Sequence, residues 1–360
     1  MSKKIGLLTG GGDCPGLNAA LRAVVKASMG MGSEVIGFKD GYKGLVQNNY
    51  IHFQSGDVSG ILDRGGTILG TSNRDNPFHF KVEVEGRTEY RDMSGRVREN
   101  LQMHEISCIV LIGGDGTLTS GRDFARMGLN VVGVPKTIDN DLCGTDYTFG
   151  FMTAVNTATD AIDKLHTTAE SHHRVMILEV MGRYAGWIAL ESGIAGGADV
   201  ILMPEIPYDI GKVALNVIAR KNAGKNFSIV VVAEGAKQAG GDVVVSKVIK
   251  DSPDPVRLGG IGNRIADELE KLTGIETRVT VLGHLQRGGR PSPFDRILAT
   301  RYGVAAANLV ERGEFGKMVC LQGGVITSIP LEDAVGKLKT VPPDGEIVTI
   351  AKSLGVGFGD

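Results

Sequence analysis

A lysine and two aspartates follow an apolar stretch in the sequence VVGVPKTIDND, residues 131–141. Packing a protein core does not require Lys136, Asp139 and Asp141 at the end of such a stretch. Phosphoryl transfer, by contrast, uses a cation near the moving phosphate and a carboxylate that accepts the proton of the attacking hydroxyl. Asp139 and Asp141 are two residues apart, so an extended backbone directs both carboxylates to one face. The segment is a candidate catalytic site; the alternative is that the aspartates only form an Asx turn.

Two glycine-rich stretches could bind phosphate. TGGGDCPGLNAALRA begins at Thr9 and VLIGGDGTLTSG begins at Val110, and in each an apolar run leads through glycines into a helical pattern. Backbone N–H groups and a helix N-terminus then converge on one point, which favours an anion. Neither stretch has the Walker sequence or a clean Gly-x-Gly-x-x-Gly fingerprint, so a merely tight turn is the alternative.

Asp115 lies inside the second of these stretches. A carboxylate in a phosphate-binding turn is expected where Mg²⁺ bridges it to phosphate oxygens. Gly116 leaves room for a ligand. Thr117 could instead cap the helix that follows, which would need no ligand.

Four arginines near predicted strand ends lie outside the amphipathic helical patterns: Arg174, Arg183, Arg278 and Arg287. A guanidinium group can hold a phosphate through two parallel hydrogen bonds. Taken together the four arginines predict a phosphorylated substrate, although any one of them alone is more often part of an ordinary salt bridge.

The elements that position these residues follow from an alternating pattern. Short β-branched apolar runs, such as EISCIVLIGG at 105–114, alternate with amphipathic helical patterns. This alternation predicts an α/β, doubly wound fold with parallel-rich sheets covered by helices on both faces. RVTVLGHLQRGG, residues 278–289, predicts a further buried strand. Ligands bind beyond the carboxyl ends of such strands, and the unusual residues fall there: Gly10–Asp13, Gly113–Thr117, Lys136–Asp141, Met181–Arg183, Glu234 and His284–Arg287.

Composition narrows the class of protein. The chain of 360 residues has a net charge of −2 and lacks the basic field that nucleic-acid binding needs. No apolar stretch approaches the ~18 residues of a membrane span. The four cysteines are far apart and form no Cys-x-x-Cys, which argues against a disulfide framework or a zinc site. We therefore expect a cytoplasmic protein without nucleic-acid or membrane partners.

The assembled stretches resemble the phosphofructokinase family over nearly the whole chain. The resemblance rests on TGGGDCPGLNAALR, GGDGT, PKTIDND, SHHRVMILEVMGRYAGWIAL, AEG, ETRVTVLGHLQRGG and PFDRILATRYG. It implies two Rossmann-like domains with the active site in the cleft between them. The larger, nucleotide-binding domain would take residues 1–150 and about 286–336, and the smaller, sugar-phosphate-binding domain about 151–285 and 337–360.

The resemblance also implies an activity and an assembly. ATP with Mg²⁺ would phosphorylate the 1-hydroxyl of fructose 6-phosphate, the committed step of glycolysis, in a homo-oligomer that is a dimer or a tetramer. Asp139 would be the general base, and Thr137, Asp141 and Arg183 would complete the catalytic group, with Asp141 near the metal.

Binding residues are implied in the same way. The nucleotide would be held by Gly12, Asn73, Arg74, Gly114, Asp115, Gly116 and Thr117, with Asp115 binding the metal. The sugar phosphate would be held by Thr137, Ile138, Asp139, Met181, Gly182, Arg183, Glu234, His284, Leu285, Gln286 and Arg287. Arg174 and Arg278 would reach it from the neighbouring subunit.

The phosphoryl donor depends on two positions. In the family a glycine at the position of Gly116 goes with ATP and an aspartate goes with pyrophosphate, whereas Lys136 resembles the pyrophosphate users. The chain thus resembles a subgroup of mixed donor preference. Because a carboxylate at position 116 would repel the α-phosphate, we predict ATP. The alternatives are a pyrophosphate-dependent enzyme and a non-catalytic regulator that binds nucleotide or sugar phosphate. NAD kinases and lipid kinases share GGDGT but lack the other stretches.

Overall fold

The structure is a computed structural model that describes residues 3–248 and 256–360. The chain divides into two compact units. Unit 1 contains Met1–Ile138, Leu142–Met152 and Arg287–Lys337. Unit 2 contains Asp139–Asp141, Thr153–Gln286 and Leu338–Asp360.

Strands and helices alternate along most of the described chain. The strands are β1 Lys4–Thr9, β2 Glu34–Phe38, β3 Tyr50–His52, β4 Phe80–Val84, β5 Arg87–Arg91, β6 Ile106–Gly113, β7 Val131–Thr137, β8 Phe149–Gly150, β9 Val175–Val180, β10 Val200–Leu202, β11 Ser228–Ala233, β12 Val245–Val248, β13 Val256–Leu258, β14 Thr277–Val281, β15 Lys317–Gln322 and β16 Val325–Pro330. The helices are α1 Leu17–Gly30, α2 Tyr42–Gln47, α3 Ser94–Met103, α4 Asp115–Arg126, α5 Phe151–His172, α6 Trp187–Ala195, α7 Ile210–Asn222, α8 Ile261–Thr273, α9 Pro293–Arg312, α10 Leu331–Ala334 and α11 Glu346–Ser353, with a 3₁₀ helix at Gly283–Arg287.

Unit 1 is built on a sheet with the strand order β16-β15-β7-β6-β1-β2-β3, and β8 also pairs with β7. The central pairs β2–β1, β1–β6, β6–β7 and β7–β15 are parallel, and the edge strands β3 and β16 are antiparallel. The middle of β6 is buried without interruption from Cys108 to Gly113, because both faces of a parallel sheet are covered by helices. Strands β1, β6 and β7 are therefore adjacent and parallel in the middle of this sheet.

Unit 2 is built on a four-stranded parallel sheet with the order β10-β11-β9-β14. Strands β9 and β11 are buried along their whole length. The prediction of a buried strand within 278–289 is wrong in two respects: the strand β14 ends at Val281, and it is an edge strand in which Val281 is 51% exposed. Its valines and threonines have strand propensity wherever the strand lies in a sheet, so the sequence pattern does not distinguish edge from centre.

The α/β class predicted from the alternation is confirmed, and so is the position of the unusual residues. Within unit 1, the turns at Gly10–Asp13 and Gly113–Thr117 begin where the adjacent strands β1 and β6 end. Within unit 2, Met181 follows β9, Glu234 follows β11, and the 3₁₀ helix follows β14. These three strands are neighbours in one parallel sheet, so their carboxyl ends meet at one edge.

Among the described residues, no helix combines the length and the apolar composition that crossing a membrane requires.

Candidate active site

The first glycine-rich turn is tied to two neighbouring segments of unit 1. Gly10 donates its N–H to the carbonyl of Ile112 at 2.9 Å, and Gly11 donates to the carbonyl of Ser72 at 3.0 Å. The hydroxyl of Thr71 returns a bond to the Gly11 carbonyl at 2.7 Å. Gly11 has φ 80°, in the left-handed region that glycine adopts without strain. The turn is therefore fixed against β6 and against the loop that carries Asn73 and Arg74.

That loop presents two of the predicted nucleotide residues. Asn73 and Arg74 are exposed, and the N–H of Arg74 donates to the hydroxyl oxygen of Ser72 at 3.2 Å. The hydroxyl of Ser72 donates in turn to the carboxylate of Asp75. The loop thus brings two exposed polar side chains close to the first glycine turn.

The second glycine-rich turn packs on Thr117. Helix α4 begins at Asp115 with Gly114 as its N-cap, so Thr117 lies inside the first helical turn and does not cap it. A Cβ atom at Gly113 would lie 2.3 Å from Cβ of Thr117, and one at Gly10 would lie 2.6 Å from its Oγ1. Both glycines are required by this close packing, which brings the two turns together.

Asp115 and Gly116 lie at the N-terminus of α4. One carboxylate oxygen of Asp115 accepts the N–H of Gly336 at 3.1 Å, and Asp115 is half-buried. Gly116 is exposed, and a Cβ atom added to it would meet nothing within 4 Å. A carboxylate beside open space at a helix N-terminus suits a divalent cation that also binds phosphate, because Mg²⁺ usually takes one or two carboxylates together with phosphates.

Two cations lie on the first glycine turn. The side chain of Lys136 is only 4% exposed and its ammonium donates to the carbonyl of Gly12 at 2.5 Å. The guanidinium of Arg287 donates to the carbonyl of Asp13 at 3.1 Å. A Cβ atom at Gly12 would lie 2.5 Å from Nη1 of Arg287. Arg287, which the resemblance grouped with the sugar phosphate, thus makes its contacts in unit 1 with the phosphate-type turn.

The segment Asp139–Asp141, here called the base segment, follows β7 after one intervening residue, Ile138. The carbonyl of Thr137 accepts the hydroxyl of Thr148 at 2.7 Å, and the side chain of Ile138 is buried. Asn140 has φ 51°, a left-handed conformation that asparagine tolerates better than most residues. Asp139 is half-buried.

In unit 2 the segment Met181–Arg183, here called the substrate turn, interlocks with the end of β11. Glu234 donates its N–H to the carbonyl of Val180 at 2.8 Å, and Gly235 donates to the carbonyl of Gly182 at 3.1 Å. A Cβ atom at Gly235 would lie 2.0 Å from the carbonyl oxygen of Arg183, so only glycine fits. The predicted residues Met181, Gly182, Arg183 and Glu234 are therefore together.

The 3₁₀ helix completes this edge of the unit 2 sheet. His284 and Leu285 are exposed. Gln286 is fully buried: its amide oxygen accepts the N–H of Met181 at 3.4 Å and its amide nitrogen donates to the carbonyl of Gly283 at 3.2 Å. Gln286, predicted as a substrate contact, therefore binds backbone groups and positions the substrate turn.

Arg174 and Arg278 lie at the other end of the same sheet, at the start of β9 and β14. Both pair with Glu276: Nε of Arg174 lies 2.6 Å from its carboxylate, and the guanidinium of Arg278 contacts the other oxygen. The hydrogen bond from Arg174 lowers the pKa of Glu276. The grouping of all four arginines at ligand-binding strand ends is thus wrong for these two, because a basic residue before a strand looks the same in sequence as one after it.

One segment that contacts the site was missed by the sequence reasoning. The N–H of Lys339 donates to the carbonyl of Asp141 at 2.8 Å. The carbonyl of Lys339 accepts the indole N–H of Trp187, the first residue of α6, at 2.9 Å. These residues carry no glycine turn, carboxylate pair or strand pattern, so no local signal connects them with Asp141.

Comparison with known proteins agrees with the geometry. The family model described as phosphofructokinase matches residues 4–310. The chain is 59% identical over 361 residues to ATP-dependent 6-phosphofructokinase 2 of Clostridium perfringens, with 99% of each chain covered. It is 52% identical over 359 residues to ATP-dependent 6-phosphofructokinase of Chloroflexus aurantiacus, with 99% of this chain and 98% of the relative covered.

Two further matches widen the comparison. The chain is 50% identical over 358 residues to pyrophosphate–fructose 6-phosphate 1-phosphotransferase of Streptomyces coelicolor, with 99% of this chain and 100% of the relative covered. The crystal structure of Pichia pastoris phosphofructokinase in the T-state superposes with a TM-score of 0.82 at 32% identity, covering 98% of this chain and 36% of that longer chain. Fold, motifs and near full-length identity agree, and the chain belongs to the phosphofructokinase family.

Proposed function

We propose that this protein transfers the γ-phosphoryl group of ATP to the 1-hydroxyl of fructose 6-phosphate, giving ADP and fructose 1,6-bisphosphate. The observation that carries the proposal is the end of β7. Lys136 there has its ammonium on the glycine turn Gly10–Asp13, and Asp139 follows three residues later. One strand end thus supplies both a cation at the phosphate-type turn and a carboxylate for the acceptor.

The donor is proposed to bind at the two glycine turns of unit 1. The close packing of Gly10 and Gly113 on Thr117 brings the two turns together, and the N-terminus of α4, which favours an anion, lies at the second of them. The predicted nucleotide residues there are Gly12, Asn73, Arg74, Gly114, Asp115, Gly116 and Thr117. Asp115 would hold Mg²⁺, which when bound supplies positive charge to the phosphate oxygens.

The acceptor is proposed to bind through the strand ends of unit 2. Asp139 accepts the proton of the 1-hydroxyl while the oxygen of that hydroxyl forms a bond to the γ-phosphorus. The bond from that phosphorus to the β–γ bridging oxygen breaks, and ADP leaves. Thr137, Asp141 and Arg183 assist, and Met181, Gly182, Glu234, His284 and Leu285 orient the sugar phosphate. We further propose that a homo-oligomer supplies Arg174 and Arg278 from the neighbouring subunit, and that the enzyme works in the cytoplasm.

Pyrophosphate is the second candidate donor, because Lys136 adds charge at the phosphate-type turn and the Streptomyces coelicolor relative is named for pyrophosphate. The open space at Gly116 favours ATP, since nothing lies within 4 Å of an added Cβ atom there and the α-phosphate can approach.

One assay distinguishes the donors. With fructose 6-phosphate and Mg²⁺ saturating, we expect the unaltered enzyme to show kcat/KM for ATP at least about tenfold above that for pyrophosphate. Gly116→Asp should lower kcat/KM for ATP about 100-fold by repelling the α-phosphate and leave pyrophosphate little changed. Gly116→Asn, of equal size without charge, separates repulsion from bulk. Preference of the unaltered enzyme for pyrophosphate contradicts the ATP assignment, and binding of both ligands without turnover would indicate a regulator.

A further inference from the structure

The base segment is held within unit 2 by a part of the chain that is remote in sequence. The segment Leu338–Val341, here called the strap, places the N–H of Lys339 at 2.8 Å from the carbonyl oxygen of Asp141. The base segment reverses direction at Asn140, whose φ is 51°. A fixed partner on Asp141 therefore constrains the turn on which the carboxylate of Asp139 is carried.

The strap is itself held by the first residue of α6. The indole N–H of Trp187 donates to the carbonyl of Lys339 at 2.9 Å. The ammonium of Lys339 lies 5.5 Å from the centroid of the Trp187 ring, within cation–π range. A single residue of the strap thus binds Asp141 through its N–H and Trp187 through its carbonyl.

A second connection runs through Glu205. One carboxylate oxygen accepts the N–H of Val341 at 2.8 Å and the N–H of Gly186, the N-cap of α6, at 3.0 Å. Burial raises the pKa of this carboxyl group, while the two N–H bonds favour the carboxylate. The strap is thus joined to the beginning of α6 at two adjacent residues.

The beginning of α6 follows the substrate turn closely. A Cβ atom at Gly182 would lie 2.8 Å from the carbonyl oxygen of Ala185, so the chain from Gly182 to Gly186 folds tightly on itself. A continuous series of contacts therefore runs from the substrate turn through Trp187 and the strap to the base segment, all of it inside unit 2.

We propose that Trp187 is a positioning residue for Asp139, acting through the strap to hold the base segment at a fixed place relative to the substrate turn. The inference rests on the proposed function, in which Asp139 accepts the proton of the sugar hydroxyl. Trp187 needs no contact with substrate for this role. A displacement of the carboxylate by about 1 Å costs up to about 100-fold in rate.

Trp187→Phe is the first test, because it keeps an aromatic ring beside Lys339 and removes the N–H donor together with part of the indole ring. We expect kcat to fall about tenfold or more, with KM for fructose 6-phosphate and for ATP within about twofold of the unaltered enzyme. Lys339→Met is the matched comparison: it removes the ammonium and its cation–π contact but keeps both backbone hydrogen bonds, so kcat should fall less than in Trp187→Phe. Val217→Ala truncates the core of unit 2 on α7, so it should lower Tm and leave kcat unchanged.

Hydrogen exchange gives a readout that does not depend on turnover. In folded Trp187→Phe, peptides covering the strap and residues 139–142 should exchange faster than in the unaltered protein, and peptides from β9 and β11 should not. A fall in kcat without faster exchange, or faster exchange without a fall in kcat, overturns the positioning role. An equal fall in kcat in Lys339→Met or Val217→Ala also overturns it. If the unaltered protein fails to phosphorylate fructose 6-phosphate, the proposed function is wrong. Unchanged hydrogen exchange in Trp187→Phe is a separate result, which would show that Trp187 does not hold the strap and the base segment in place.

Discussion

Unit 1 and unit 2 both carry polar groups beyond the carboxyl ends of parallel strands, and they do so with different parts of the chain. In unit 1 the turns after β1 and β6 are mainly glycine, and backbone N–H groups are joined there by the cations Lys136 and Arg287. In unit 2 the ends of β9, β11 and β14 carry the side chains of Arg183, Glu234 and His284.

The difference reflects what each region is proposed to bind. A polyphosphate has many equivalent oxygens, so amides and positive charge suffice, provided that no Cβ atom keeps the backbone at a distance. A sugar phosphate has hydroxyl groups at defined positions, which require donors and acceptors on side chains of defined reach. In unit 1, Gly116 faces open space and Gly12 faces the flexible end of Arg287, whereas Gly235 in unit 2 makes room for the carbonyl of Arg183.

Asp139→Ser should give the largest effect and tests whether chemistry and binding are separable at the acceptor side. A general base contributes about 10²–10⁴-fold, so we expect kcat to fall by about 10³-fold. Affinity for fructose 6-phosphate, measured by calorimetry, should change by less than about threefold. Asp209→Ser, at the N-cap of α7, is the control, because it removes an aspartate outside the proposed site and should keep kcat. An unchanged kcat in Asp139→Ser would show that Asp139 is not the general base.

Replacing a glycine by alanine in each unit tests whether glycine serves ligand binding in unit 1 and chain packing in unit 2. In Gly12→Ala the new methyl group meets the flexible end of Arg287, so we expect kcat/KM for ATP to fall about tenfold to 100-fold with little change in Tm. In Gly235→Ala it meets backbone, so unfolding should be about 1–3 kcal/mol easier. Gly116→Ala, which meets nothing within 4 Å, should leave stability unchanged. Equal loss of stability in Gly12→Ala and Gly235→Ala would contradict the distinction.

Glu191→Gln should have the smallest effect on turnover, because Glu191 lies outside the proposed site and acts on the stability of unit 2. Burial raises the pKa of Glu191 to about 7, against the opposing charge of Lys339. The folded state therefore keeps this proton while the unfolded chain releases it near 4.5. The contribution of this bound proton to the free energy of unfolding is full below about pH 4.5 and is lost as pH rises to about 7, a change of roughly 3 kcal/mol.

The measurement is the free energy of unfolding by urea at pH 5 and at pH 8. Glu191→Gln should be more stable than the unaltered protein at pH 8, and the difference should shrink or reverse at pH 5. Glu170→Gln, which changes an exposed residue of α5, should follow the unaltered protein at both pH values. A Glu191→Gln protein with the same pH dependence as the unaltered one would show that Glu191 is not responsible.

Local patterns in the sequence were sufficient for the fold class and for most strand ends. Apolar β-branched runs that lead into glycine or charged residues indicate buried strands, so β1, β6, β7, β9 and β11 were predictable from the sequence pattern. The glycine turns and the placement of Asp139 shortly after β7 followed for the same reason, because they depend on residues adjacent in the chain.

Neighbours in space were not predictable in this way. The edge position of β14, the location of Arg174 and Arg278 at the starting ends of their strands, and the burial of Gln286 depend on which strands pair. The contact of Arg287 with Asp13 and that of Lys339 with Asp141 join residues far apart along the chain.

The sequence by itself determined where strands end and which side chains stand there, because burial and turn geometry act over a few residues. Only the tertiary structure decided which of those ends meet, which cations lie on the glycine turn, and which segment holds the base. Those outcomes depend on packing among residues from all parts of a unit, so no short stretch of sequence determines them.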